Sequence, residues 1–249
     1  MTADAAPVIE AKELGIRFLR NRRQRLSLRE MLFKGESTSP RGSFWALRDV
    51  TFQVRQGEAV GLVGANGQGK STLLKLIAGV LLPDEGKVAV RGGVAPLIEL
   101  TGGFVGDLTA RDNIWLTAGL HGLTNEQIEE RFDDIVAFAE IGDFLDTPFR
   151  HFSSGMQVRL GFSVITTLDE PVVLVDEVLA VGDKRFKEKC YTRMEELVGS
   201  GRTLFLVSHN ERDLRRFCTR GLYLQGGVLK EDGPVEDALA AYEADQRKH

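Results

Sequence analysis

Residues 64–72 read Gly-Ala-Asn-Gly-Gln-Gly-Lys-Ser-Thr, with Val60-Gly-Leu-Val63 before them and the helix-forming run Leu73-Leu-Lys-Leu-Ile-Ala78 after. A buried strand, a glycine loop and a helix in this order is what a phosphate site requires: glycines let backbone N–H groups converge on phosphate oxygens, and the helix start adds a positive dipole. Gly64, Asn66, Gly67 and Gly69 supply the loop, and Lys70, Ser71 and Thr72 open the helix. In such a loop the lysine reaches the β and γ phosphates and the hydroxyl after it holds Mg²⁺. A plain glycine turn capping a helix leaves Lys70 unexplained, because a cation at a helix start opposes the dipole.

A second element fits the first. The apolar run Val172-Val-Leu-Val175 ends in Asp176 and Glu177. In a parallel sheet the exits of such strands gather at one edge, beside the phosphate loop. There Asp176 would support the Mg²⁺ shell and Glu177 would polarise an attacking water, so hydrolysis is implied as well as binding.

The rest of the chain supplies a scaffold. Residues 8–18 and 46–54 mix apolar and polar side chains in short β-like runs, and 58–63 is a continuous apolar run. Residues 107–167 change to helical spacing: Thr124 and Gln127 form a capping box, and Ile128, Phe132, Ile135, Val136 and Ala139 recur on one face. Two further strands are predicted over 171–175 and 203–207, then a hairpin around Gly226-Gly227 and a helical tail from Pro234. Apolar strands separated by helices define an α/β parallel core. Between the first two strands, Arg20, Arg22, Arg23, Arg25, Arg29 and Lys34 surround Leu26, Leu28, Met31, Leu32 and Phe33, which reads as a short basic amphipathic helix near 26–34.

Composition narrows the class. The formal net charge of −4 over 249 residues argues against nucleic acid as the main partner. Cys190 and Cys218 are the only cysteines and lack ligand spacing, so neither a disulfide framework nor structural zinc is expected. The run ending at Val175 is far short of the roughly 20 residues that span a bilayer, and with Asp4 where a secretory signal would have basic residues no export signal is expected.

Phe152-Ser153-Ser154-Gly155-Met156-Gln157-Val158-Arg159, some 20 residues ahead of the Asp176 strand, joins Asp183 and His209 in an order that resembles the ABC transporter ATPases. The resemblance covers nearly the whole chain. It implies a P-loop fold with an antiparallel β subdomain (1–58), a RecA-like core (59–106 and 168–249) and a helical subdomain (107–167), all in one domain. It also implies a head-to-tail homodimer around two MgATP, in which Ser153, Ser154 and Gly155 of one copy grip the γ-phosphate held by the other. Ser154 and Met156 depart from the family's Leu-Ser-Gly-Gly-Gln. His209 matches the switch histidine, and Asp183 the loop linking the two sites, although Asp183 reads equally as a helix N-cap. Where the family carries a glutamine that approaches Mg²⁺ and water, this chain has Glu99. Phe18 and Trp45 lie near the position that stacks adenine, or pack within the β subdomain.

Four stretches, 44–50, 97–104, 108–114 and 153–160, look like the ATPases of polysaccharide and teichoic-acid exporters. That branch inserts a gate helix where residues 26–34 fall, and its basic face suits anionic headgroups. The expectation is an ATPase bound peripherally to the cytoplasmic face of the inner membrane, driving an integral-membrane permease that exports a lipid-linked glycan. The extra carbohydrate-binding domain of some members is not expected here, so substrate choice is expected to rest with the permease. An importer ATPase and a soluble ABC protein are the alternatives.

Overall fold

Three strands made almost wholly of buried apolar residues form the centre of the molecule: β3 (Ala59–Val63), β6 (Val172–Asp176) and β7 (Thr203–Val207). Strands covered on both faces read as continuous apolar runs, which is why all three were legible. The computed structural model describes residues 6–19, 42–98, 100, 102–176 and 183–247. The basic helix expected near 26–34, Glu99 and Glu177 lie outside them.

The central strands belong to a six-stranded sheet completed by β5 (Val94–Leu97), β8 (Arg220–Gln225) and β9 (Val228–Pro234), in the order β5-β6-β7-β3-β8-β9. All neighbours are parallel except β8 and β9, which form the expected hairpin. A second, antiparallel sheet has the order β2-β1-β4, from β1 (Ile9–Leu19), β2 (Ser43–Val54) and β4 (Glu85–Val90). Strand β4 falls in the 59–106 segment expected in the core, yet it pairs with β1, Ile9 opposite Val90. Its mixed exposure suits an edge strand with one wet face and would not suit the interior of a parallel sheet.

Seven helices are described: α1 (Lys70–Ile77), α2 (Ala110–Leu120), α3 (Asn125–Ala139), α4 (Ser154–Thr167), α5 (Lys184–Gly199), α6 (Glu211–Phe217) and α7 (Val235–Gln246). On one face of the central sheet, Val60, Leu62, Leu174 and Phe205 pack with α1 and with Leu14, Leu47 and Phe52 of the small sheet. On the other, Val173, Val175 and Leu206 meet Phe162 of α4, Phe186 and Met194 of α5 and Leu214 of α6. Fully burying one such side chain contributes about 1.5–3 kcal/mol, and truncating Phe205 to Ala would cost about 3–5 kcal/mol.

Helices α2, α3 and α4 share a separate core of Ile114, Ile128, Ile135, Leu160 and Val164. Helix α4 therefore belongs to both cores, and Phe138 of α3 also packs against the sheet core. The capping box expected at Thr124 and Gln127 forms, and a second joins Thr109 to Asp112. Buried Asn113 accepts from the Val105 N–H at 2.7 Å and donates to the carbonyls of Val105, Leu108 and Thr109, so its amide fixes the turn ahead of α2.

Candidate nucleotide site

Strand β3 ends at Val63 and α1 begins at Lys70, so the loop between them lies at the carboxyl edge of the parallel sheet. Gly69 caps α1 with φ 101°, in the left-handed region, and a Cβ there would lie 2.5 Å from the carbonyl oxygen of Ala46. Glycine alone meets both demands. No side chain caps α1, so its first N–H groups face outward, as an anion site requires.

Lys70 is only 6% exposed, and its Nζ donates to the carbonyl oxygens of Gly64 at 2.7 Å and Ala65 at 3.0 Å. These bonds curl the side chain back over the loop, so the ammonium sits at the centre of its arc. Asn66, Gly67, Gly69, Lys70, Ser71 and Thr72 line a cavity of about 290 Å³, closed on the far side by Phe18, Phe44 and Ala46. One wall offers cationic and N–H donors and the other two aromatic rings, a division that suits a phosphate chain ending in an aromatic base.

Phe18 and Phe44 are register partners across β1 and β2, with ring centroids 6.1 Å apart. Trp45 does not line this cavity. It projects from the opposite face of β2, where the guanidinium groups of Arg17 and Arg48 lie 5.7 and 5.8 Å from its ring. Of the adjacent Phe44 and Trp45 in β2, it is Phe44 that lines the cavity at the loop. Register shifts in the β1–β2 pairing between Leu14 and Ile16 and between Ile16 and Arg17 break simple alternation, so the sequence alone did not show which of the two turns to the loop.

Asp176 closes β6 opposite Val207 of β7, and His209 follows β7 by two residues. Since β7 lies between β6 and β3, Asp176, His209 and the glycine loop all leave the sheet at one edge. Asp176 is half-buried and His209 exposed. The carboxylate of Asp176 and the hydroxyl of Ser71 are hard oxygen donors of the kind that would suit Mg²⁺.

The Ser-Gly turn stands apart from this cavity. Ser153 is the N-cap of α4, accepting from the Met156 N–H at 3.2 Å, and Ser153 and Ser154 are exposed. Neither they nor Gly155 lines the cavity of their own chain. Asp183 caps α5 by accepting from the Phe186 N–H at 2.9 Å, and it also pairs with Arg159 of α4. The Phe186 N–H and then the Arg159 charge hold its carboxyl below the usual range. Arg159 also reaches Glu140 at 2.8 Å and lies over the Phe186 ring, a hub the sequence reading left without a role.

A larger cavity of about 680 Å³ runs along α5, lined by Phe138, Lys189 and Arg193 among others. It lacks a glycine loop and is lined mainly by charged side chains of α5, so chemistry and not volume selects the smaller site.

A glycine loop at the edge of a parallel sheet, an Asp-ended strand leaving the same edge and a separate Ser-capped helix define an ATP-binding cassette, and the chain is an ATPase of that class. The family model described as ABC transporter matches residues 47–180, and the chain belongs to that family. It is 44% identical over 199 residues to the "O-antigen export system ATP-binding protein RfbB" of Klebsiella pneumoniae, covering 80% of this chain and 81% of the relative. It is 42% identical over 200 residues to the "Teichoic acids export ATP-binding protein TagH" of Bacillus cereus, covering 80% of this chain and 36% of that longer relative. Among solved structures, "Structure of ATP binding subunit of ABC transporter" superposes with TM-score 0.75 at 25% identity, over 95% of this chain and 93% of the other. The "Dimeric Structure of MJ0796, a Bacterial ABC Transporter Cassette" superposes with TM-score 0.73 at 20% identity, over 91% and 98%, and supports the fold.

Proposed function

We propose that this chain is the ATP-hydrolysing subunit of a transporter that exports a lipid-linked polysaccharide of the O-antigen or teichoic-acid type. The observation that carries this reading is the 44% identity to an O-antigen export subunit over four-fifths of both chains. The proposed assembly is a homodimer bound to an integral-membrane permease at the cytoplasmic face of the inner membrane, without nucleic acid. Each chain contributes one cassette, with β4 moved from the core to the small sheet.

Within the site, the N–H groups of α1 and Lys70 bind and orient the β and γ phosphates of ATP. Ser71, Asp176 and Glu99 would be the oxygen donors for Mg²⁺, which would supply charge neutralisation at the phosphates. Glu177 polarises the attacking water and His209 holds the γ-phosphate. Ser153 and Ser154 are exposed, and neither they nor Gly155 line their own cavity, as suits residues acting on the site of a second copy. Asp183 stands at the join between the two sites.

The test is affinity capture of the tagged chain from its native membranes, with identification of bound proteins and glycolipids and an ATPase assay on the eluate. A polytopic membrane protein with a glycolipid and active hydrolysis supports the reading. Ribosomes, DNA or a solute-importing permease overturn it.

A further inference from the structure

Gln68 is the one long side chain between Gly67 and Gly69 in the phosphate loop, and it turns away from the cavity that its neighbours line. Its Oε1 accepts a hydrogen bond from the N–H of Gly226, more than 150 residues along the chain, in the β8–β9 turn. Gly226 and Gly227 both occupy the left-handed region, with φ 58° and 75°, as a two-residue hairpin turn of this hand requires. The turn in turn grips β2: the Arg48 N–H donates to the Gly227 carbonyl at 2.8 Å, and a Cβ on Gly227 would lie 2.5 Å from the Ala46 carbonyl oxygen. Ala46 and Phe44 are cavity residues of that same strand.

Phosphate loop and aromatic wall belong to different sheets, so nothing in either sheet's own hydrogen bonding sets the gap between them. The path Gln68, Gly226-Gly227, Arg48 and Ala46 bridges them by hydrogen bonds, beside the direct packing of Gly69 on Ala46. We infer that Gln68 is a positioning residue for nucleotide binding, tying the loop through the β8–β9 turn to the strand that carries Phe44 and thereby setting the distance between the phosphate and base ends of the cavity. This rests on the proposed function, since it takes the ligand to be a nucleotide whose base meets Phe44.

The test is calorimetric titration of the whole chain with the non-hydrolysable ATP analogue AMPPNP and Mg²⁺, on the wild type, Gln68→Met, Phe44→Ala and the double variant. Methionine keeps the length of Gln68 and removes its acceptor. One lost hydrogen bond corresponds to about a fivefold to tenfold weakening. Each single variant is expected to weaken binding by about fivefold, and the double variant by no more than about tenfold, because the tether acts through the wall that Phe44 builds. Gly227→Ala, pressing on Ala46 from the other side, is expected to match Gln68→Met, with melting temperature as the folding control; if it does not fold, the Gln68 and Phe44 set stands alone. Unchanged binding in either single variant, or a double variant weakened by the full product of about 25-fold, overturns the positioning role and leaves the ATPase reading intact. Failure of the folded wild type to bind the analogue overturns both.

Discussion

Phe44 and Trp45 are adjacent in β2 and face opposite sides of the small sheet, the first toward the phosphate loop and the second between Arg17 and Arg48. Replacing Trp45 by Ala is expected to leave the Kd for ATP within about twofold. Phe18→Ala or Phe44→Ala should raise it about fivefold to tenfold, the worth of one aromatic stacking contact. Calorimetry with the ATP analogue measures all three, and a Trp45 effect as large as that of Phe44 would move the base to the other face.

Lys70 is the buried cation of the loop, and its two carbonyl contacts leave an ammonium that no neutral side chain can replace. Lys70→Ala is expected to weaken ATP binding by about 10- to 100-fold, the range for a lost hydrogen bond to a charged group. Circular dichroism should show the fold retained, and the loss should be in affinity.

Glu177→Gln is expected to bind ATP with near-normal affinity and to hydrolyse it at least about tenfold more slowly, because an amide cannot accept the proton of the attacking water. Single-turnover phosphate release measures it. Unchanged turnover would remove Glu177 from that role.

Arg159 joins Glu140, at the end of α3, to Asp183, the cap of α5. Arg159→Ala should lower the melting temperature by a few degrees, since the pair is partly exposed and Glu140 keeps Lys189 at 3.1 Å. The Asp183 carboxyl should titrate closer to its ordinary value in the variant, which NMR can follow, while the Phe186 N–H continues to hold it down.

His121, at the C-cap of α2, is held below the ordinary imidazole value by burial, opposed by the Glu170 carboxylate. The folded state therefore prefers the neutral ring. Its contribution to stability is complete above the unfolded value of about 6.5 and is lost as pH falls through the lower folded value. The wild-type melting temperature should drop more between about pH 7.5 and 5.5 than that of His121→Gln.

What the chain determined on its own was whatever depends on neighbours in sequence. The glycine loop, the continuous apolar runs of β3, β6 and β7, the hairpin at Gly226-Gly227 and the Thr124–Gln127 capping box are set by local steric freedom, burial on both faces and side-chain reach over three residues. The motif order was enough to place the chain in its family. Tertiary structure decided the rest, because pairing between distant segments has no local signature: β4 joins β1 across some 75 residues, and the register of Phe18 with Phe44 selects which aromatic of β2 meets the loop. Gln68 reads as filler between two glycines until the fold brings Gly226 to its amide. Local chemistry supplied the groups, and the packing of two sheets chose which of them share a cavity.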